Sequence, residues 1–166
     1  METFLAQLRD PAFQHVLINH LPITGLAAGA LALLIAVFMR SRRAQIAALS
    51  TVLAMSACVF PTYVTGEDAY RQIRRIADDA GADWLDAHLD RADRAVGAFY
   101  ALAGLSLAAL AIPLRWPRTG TPLAALTLLG AIACVALGGW IADAGGLVRH
   151  PELRPAPQTP AILETP

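Results

Sequence analysis

The chain of 166 residues is 56% hydrophobic and only 16% charged, and its mean hydropathy of +0.50 is high for a soluble protein. Thirteen basic residues, all of them arginine, balance thirteen acidic residues, so the formal net charge is zero. Because the chain has no net positive charge, we expect no nucleic-acid partner.

Four uncharged, apolar runs dominate the sequence, and each contains 19 to 21 residues. They occupy residues 21–39, 44–64, 95–114 and 123–142. An α-helix needs about 20 residues to cross a hydrocarbon core roughly 30 Å thick, so each run predicts a transmembrane helix. A soluble all-α bundle is the alternative, but its helices would keep a polar stripe, and these runs carry no charge on any face. We therefore expect an all-α, integral membrane four-helix up-and-down bundle formed by residues 1–154.

The segment before the first run predicts a helix of its own that leads into the membrane. Asp10 followed by Pro11 is typical of a helix N-terminus, and we expect that helix to continue through both His15 and His20. Pro22 should kink it, since proline donates no hydrogen bond. The segment lacks the basic start and the cleavage site of a secretory signal, so we expect the first run to remain in the mature protein.

Small residues within the runs predict close helix packing. Gly25 and Gly29 form a small-xxx-small pattern in the first run, which allows a second helix to approach closely. Gly104 in the third run and Gly138 in the fourth are candidates for the same role.

Two short connections, at residues 40–43 and 115–118, are basic and contain no acid. The positive-inside rule places them in the cytoplasm. The other side contains more arginines in total, but those in the short connections lie directly beside the spans and therefore decide the orientation. We therefore expect a multi-pass protein of the bacterial inner membrane with both termini on the non-cytoplasmic side.

The long connection between the second and third runs predicts a short amphipathic helical segment. Apolar residues recur every three to four positions over residues 68–80, and Gly81 is expected to end this helix. Asp83 should cap a second helix that continues into the third run and turns His88 towards the bundle. Residues 155–166 are rich in proline and predict a flexible tail.

All four histidines fall at the same end of the predicted bundle. His15 and His20 precede the first run, His88 precedes the third, and His150 follows the fourth, while Glu67 follows the second. An up-and-down arrangement brings these run ends to one membrane face. We therefore predict a cluster of His15, His20, Glu67, His88 and His150 on the non-cytoplasmic side.

Imidazole is a common ligand of zinc, copper and iron, and a carboxylate can complete the coordination. The favoured interpretation is a haem b held by histidines, with His20 and His88 as the first candidates, in a membrane electron carrier that meets a redox partner protein on the non-cytoplasmic side. Gly66, Gly145 and Gly146 would leave room for the porphyrin, and Arg91 or Arg149 would pair with its propionates. A mononuclear Zn, Cu or Fe site is the first alternative, and a cofactor-free structural or partner-binding subunit is the second. No enzyme motif is present, so a stand-alone enzyme is not expected.

The histidine motifs resemble those of bacterial four-span membrane proteins in domain-of-unknown-function family 2231. The resemblance covers about residues 13–154. It is carried by four short motifs: His15-Val-Leu-Ile-Asn19-His20-Leu-Pro22-Ile, Thr65-Gly66-Glu67, Ala87-His88, and Gly145-Gly146-Leu-Val-Arg149-His150-Pro151-Glu152. It implies a shared four-span layout with histidines at one face, and the family supplies no established activity.

Overall fold

A computed structural model describes residues 2–155, and this part of the chain contains helices and turns but no strand. The α-helices are α1 (Glu2–Gln7), α2 (Pro11–Ile18), α3 (Leu26–Phe38), α4 (Arg42–Ala57), α5 (Val59–Ile76), α6 (Asp79–Arg115) and α7 (Gly120–Arg149). A π-helical turn at Leu21–Gly25 joins α2 to α3, and short 3₁₀ turns lie at Pro117–Thr119 and Pro151–Leu153. The all-α prediction is confirmed. The predicted tail lies outside the described residues from residue 156 onwards.

Four helical segments are long and apolar enough to cross a membrane: Pro11–Phe38, Arg42–Ile76, Asp79–Arg115 and Pro117–Arg149. They correspond to the four apolar runs, with Met39 just outside the first segment. Only about a third or less of the most apolar window of each segment is buried inside the protein. Large apolar side chains such as Leu31, Leu107 and Leu129 are more than half exposed. Such an outer surface suits a lipid bilayer better than water, because a soluble protein rarely exposes so continuous an apolar surface.

The core is formed mainly where α3 packs on α4 and α7, and where α6 packs on the same two helices. Its most deeply buried large side chains are Leu26, Leu33, Leu49, Val52, Phe99 and Leu102. Alanines are buried between them and keep the helices close together: Ala30, Ala48, Ala109, Ala124 and Ala131.

Close approach at glycine is confirmed for three of the four candidate positions. A Cβ atom added to Gly29 would lie 3.2 Å from Cγ2 of Val52, and one added to Gly25 would overlap the Met55 side chain. A Cβ on Gly138 would lie 3.1 Å from Cγ1 of Ile23. Gly104 has no such neighbour within 4 Å, so the prediction of close packing there was wrong.

Two prolines interrupt the first two long segments. The π-helical turn begins at Leu21 and contains Pro22, which confirms the predicted distortion. Pro61 interrupts the second segment. It lacks the N–H that would reach the carbonyl of Ala57, and α4 ends at that residue.

A third proline lies inside α6 and is compensated by a side chain. Pro113 has no N–H to pair with the carbonyl of Ala109, four residues earlier. Arg42, at the start of α4, supplies the missing donor, because its Nη2 lies 3.0 Å from that carbonyl oxygen. The guanidinium also lies against Gly120, where an added Cβ would be 3.5 Å from Cζ of Arg42. Arg42 therefore holds α4, α6 and the start of α7 together at one end of the molecule.

The connection between α5 and α6 differs from the prediction. The amphipathic segment is a continuation of α5 to Ile76, and the next helix begins at Asp79 rather than beyond Gly81. Asp78 caps α6, because its carboxylate accepts a hydrogen bond of 3.0 Å from the Gly81 N–H. The predicted cap at Asp83 was wrong, and Asp83 lies inside α6. The continuation of this helix into the third span is confirmed.

An ion pair ties this turn to the end of α7. Arg154 donates from Nη1 to Oδ2 of Asp78 at 2.6 Å and from Nη2 to Oδ1 at 2.9 Å. The same guanidinium donates to the carbonyls of Leu147 and Val148. Arg154 thereby lowers the pKa of Asp78 below its ordinary value of 3.8. At any pH above that ordinary value the ion pair is therefore complete. It is lost only as the pH falls through the lower pKa that Asp78 has in the folded protein.

Replacing Arg154 by alanine is expected to loosen the turn at neutral pH. The Arg154→Ala substitution removes both bonds to Asp78, so hydrogen exchange at the Gly81 amide should become severalfold faster. Arg149→Ala is the matched control, because Arg149 is exposed and forms no ion pair within residues 2–155. Equal exchange at Gly81 in the wild type and Arg154→Ala would contradict this role.

Candidate functional site

His15 bridges α2 and α5. Its Nδ1 lies 2.9 Å from the main-chain oxygen of Thr62. A carbonyl oxygen only accepts, so we assign the imidazole proton to Nδ1, which donates. In the neutral ring Nε2 then keeps its lone pair and is the nitrogen able to bind a metal. The ring is half-buried.

Helix α2 is positioned for this contact by its N-terminus. Asp10 accepts hydrogen bonds from the Ala12 and Phe13 N–H groups at 2.8 and 3.1 Å, and Pro11 occupies the first helical position. This confirms the predicted start of the helix. Helix α2 packs along α5, and His15 lies at that contact.

His88 makes the equivalent bridge between α6 and α7. Its Nδ1 lies 2.9 Å from the main-chain oxygen of Ile141, so Nδ1 again donates and Nε2 again keeps its lone pair. The ring is half-buried. The prediction that His88 faces the other helices is confirmed.

Both bridges use a glycine in the same position. Gly66 lies four residues after Thr62, and Gly145 lies four residues after Ile141. In an α-helix the side chain of residue i+4 lies beside the carbonyl of residue i, so a glycine there leaves the carbonyl open to the imidazole. A Cβ on Gly66 would lie 2.9 Å from Cε1 of His15. A Cβ on Gly145 would lie 2.9 Å from Nδ1 of His88, so each imidazole fills the space that its glycine provides.

The two imidazoles lie close to each other. The ring centroids of His15 and His88 are 6.3 Å apart, and the ring planes are nearly perpendicular at 82°. Two histidines that are 73 positions apart in the sequence are thereby brought together at the meeting point of α2, α5, α6 and α7.

The structure does not add the other three predicted ligands to this pair. His20 is exposed at the end of α2, and Glu67 is exposed just after Gly66. His150 is exposed beyond α7, and its Nδ1 lies 2.9 Å from Oε1 of Glu152. Within residues 2–155 no three side chains of His, Cys, Asp or Glu are grouped so that they could hold a metal ion. Two of the five predicted residues therefore meet.

Arg91 lies one helical turn after His88 and has a larger part at this site than its sequence position indicates. Its guanidinium contacts the faces of Trp84 and Trp140, with Cζ 5.9 and 5.1 Å from the ring centroids. It also donates to the carbonyl of Trp140 at 2.6 Å and to Asp143 at 2.9 Å. Trp84, His88 and Arg91 share one face of α6, because they are spaced four and three residues apart. This spacing could have indicated from the sequence that Arg91 belongs to the site. Arg91 is engaged in holding α6 against α7 and is not a free partner for a propionate.

The donor set of this pair is two imidazole nitrogens. Zinc, copper and iron accept such donors, and a haem iron can also be held by two histidines. Gly66 and Gly145, expected to make room for the porphyrin, make room for the imidazoles instead. The haem and the metal ion both stay predictions.

Comparison with family models, curated proteins and solved structures finds no match for this chain. The resemblance to domain-of-unknown-function family 2231 therefore stays a prediction.

Proposed function

We propose that this protein is a multi-pass membrane protein that binds one transition-metal ion through Nε2 of His15 and Nε2 of His88. One observation carries the proposal: each imidazole is fixed by a hydrogen bond of 2.9 Å from Nδ1 to a main-chain carbonyl, and the two ring centroids lie 6.3 Å apart. Metal-binding histidines are commonly oriented in this way, because the second nitrogen donates to a carbonyl or carboxylate.

The four apolar segments cross the bilayer up and down in this proposal. The contacts of His15 with Thr62 and of His88 with Ile141 support one shared end, and the contact of Arg42 with Ala109 supports the other. The basic connections face the cytoplasm of a bacterial inner membrane, so the metal and both termini lie on the non-cytoplasmic side.

Two imidazoles leave coordination positions open. Water can occupy them, and the exposed carboxylate of Glu67 is the nearest acid in sequence to the His15 contact at Gly66. Copper and iron alternate between oxidation states and suit the electron transfer and the redox partner predicted from the sequence, whereas zinc would serve structure.

A cofactor-free structural protein is the second candidate, and the two glycines favour it. Each imidazole fills the space beside a glycine and joins two helices, which stabilises the fold without any ion. The two candidates differ in whether Nε2 of each histidine binds a metal ion.

Metal titration of the detergent-purified protein tests the proposal. After treatment with chelator, the protein is titrated with Cu²⁺, Zn²⁺ and Fe²⁺, and the bound metal is measured by elemental analysis after desalting. We expect one ion per chain. The His15→Asn and His88→Asn variants should bind more than about tenfold more weakly, because each loses a ligand while the asparagine amide still donates to the carbonyl. His150→Asn is the matched control and should bind normally.

Three results would overturn metal binding by this pair. Retention of the metal in both His15→Asn and His88→Asn would place the ion elsewhere. No binding together with lower thermal stability in both variants would favour the structural protein. A Soret absorption band in the purified protein that is lost in these variants would show that the histidines bind haem b and not a metal ion.

A further inference from the structure

The end of the molecule opposite the histidine pair carries arginines without carboxylate partners. Five arginines lie in its two connections: Arg40, Arg42, Arg43, Arg115 and Arg118. The sequence has no Asp or Glu at 11–66 or at 94–142, and none of these five forms an ion pair in the described part of the chain. At the histidine end, by contrast, four arginines pair with Asp: Arg74, Arg91, Arg94 and Arg154.

Arg42 brings the two basic connections close together. Its side chain reaches from the first connection to Ala109 of α6, and it lies against Gly120, the first residue of α7, just after the second connection. Arg42 and Arg43 also occupy the first turn of α4, which contains no acid. The N-terminus of a helix carries partial positive charge, so arginine there is unfavourable unless an anion lies close by.

Arg40 adopts a backbone conformation that disfavours arginine. Its φ of 51° is the one positive φ of a non-glycine residue within residues 2–155. It follows α3 in the left-handed position that helices usually give to glycine, and the Ser41 N–H closes the turn on the carbonyl of Ala36. Glycine would hold this position with less strain. A strained residue points to a role for its side chain.

Exposed apolar side chains surround the same connections. Phe38 and Met39 precede the first, Leu114 precedes the second and Trp116 lies within it, with exposed fractions of 80%, 67%, 85% and 60%. Tryptophan beside arginine at the end of a membrane span is typical of the headgroup region. A ligand at this surface therefore has a negative headgroup and an apolar tail.

We propose that the phosphate of an anionic phospholipid binds between residues 40–43 and 115–120, with Arg40, Arg43 and Arg118 as its cationic contacts. The lipid supplies the anion that the start of α4 lacks, and its acyl chains lie against the exposed apolar side chains. This inference is independent of metal binding.

Native mass spectrometry after reconstitution in nanodiscs tests the proposal. The discs contain equal amounts of phosphatidylglycerol and phosphatidylcholine, and the lipids that remain on the released protein are counted. We expect retention of phosphatidylglycerol over phosphatidylcholine. Each lost arginine should weaken the preference about fivefold, so Arg40→Gly with Arg43→Gln and Arg118→Gln should abolish it. Arg71→Gln with Arg75→Gln is the control, since these exposed arginines lie on α5 at the other end.

The single variant Arg40→Gly separates lipid binding from folding. Because glycine relieves the positive φ, its melting temperature in detergent without lipid should rise by a few degrees, roughly 2–4 °C, while retention of phosphatidylglycerol falls. Equal retention of both lipids by the wild type would overturn the proposal. The same loss of phosphatidylglycerol in the control variant would also overturn it. A rise in melting temperature with inorganic phosphate as large as that with phosphatidylglycerol would do so as well.

Discussion

Replacing Gly29 by leucine is expected to destabilise the protein by about 2 kcal/mol, which is typical of overpacking a tight contact. A Cβ at this position lies 3.2 Å from Cγ2 of Val52, 3.3 Å from Cγ2 of Thr51 and 3.5 Å from the main-chain nitrogen of Val52. Val52 is fully buried and the nitrogen is part of α4, so neither can move aside without separating α3 from α4. Unfolding in mixed micelles, followed by circular dichroism, measures the loss.

Gly104→Leu is the matched control for this substitution. Gly104 lies within α6 and is exposed, and an added Cβ there meets nothing within 4 Å. Leucine is the better helix former by close to 1 kcal/mol, so the control should be neutral or slightly stabilising. Equal destabilisation by the two substitutions would contradict the close contact between α3 and α4.

Replacing Arg42 by methionine is expected to cost about 1–2 kcal/mol, because it leaves the buried carbonyl of Ala109 without a donor. The cost stays modest since the Nη1 atom of Arg42, which is buried and has no hydrogen-bond partner within residues 2–155, is removed as well. Arg43→Met, one residue further along and exposed, should change stability by less than about 0.5 kcal/mol.

A double-mutant cycle with Pro113→Ala identifies the cause of that loss. Alanine at position 113 restores the N–H that pairs with the Ala109 carbonyl, so Arg42→Met should cost well under ~1 kcal/mol in that background. The unfolding free energies of the four proteins give the coupling between the two positions. An unchanged cost of Arg42→Met beside alanine would show that the arginine stabilises the fold by some other contact.

Much of the helical framework could be predicted from local sequence. The four long apolar segments, the cap at Asp10 and the distortion at Pro22 all follow from composition and from the chemistry of single residues. The start of α6 did not follow, because Asp78, Asp79 and Asp83 are all acceptable caps. Asp78 pairs with Arg154, which is 76 positions away, and no local pattern contains that partner.

The candidate site was predicted less completely for the same kind of reason. The order of the runs was enough to suggest that His15 and His88 share an end. Which imidazoles meet depends on ring orientation, and Gly66 and Gly145 set it by opening one carbonyl each. No such opening was found for His20 or His150, which are exposed.

The unpaired arginines have an electrical consequence. Within residues 4–155, five arginines lie at one end and eleven carboxylates with eight arginines at the other, which is +5 against −3. In the proposed topology the molecule is a large dipole along the membrane normal. A potential that is negative in the cytoplasm stabilises this orientation, since each elementary charge that crosses 100 mV changes the energy by about 2.3 kcal/mol. In that topology, the charge separation that a net charge of zero conceals would hold the protein in one direction in an energised membrane.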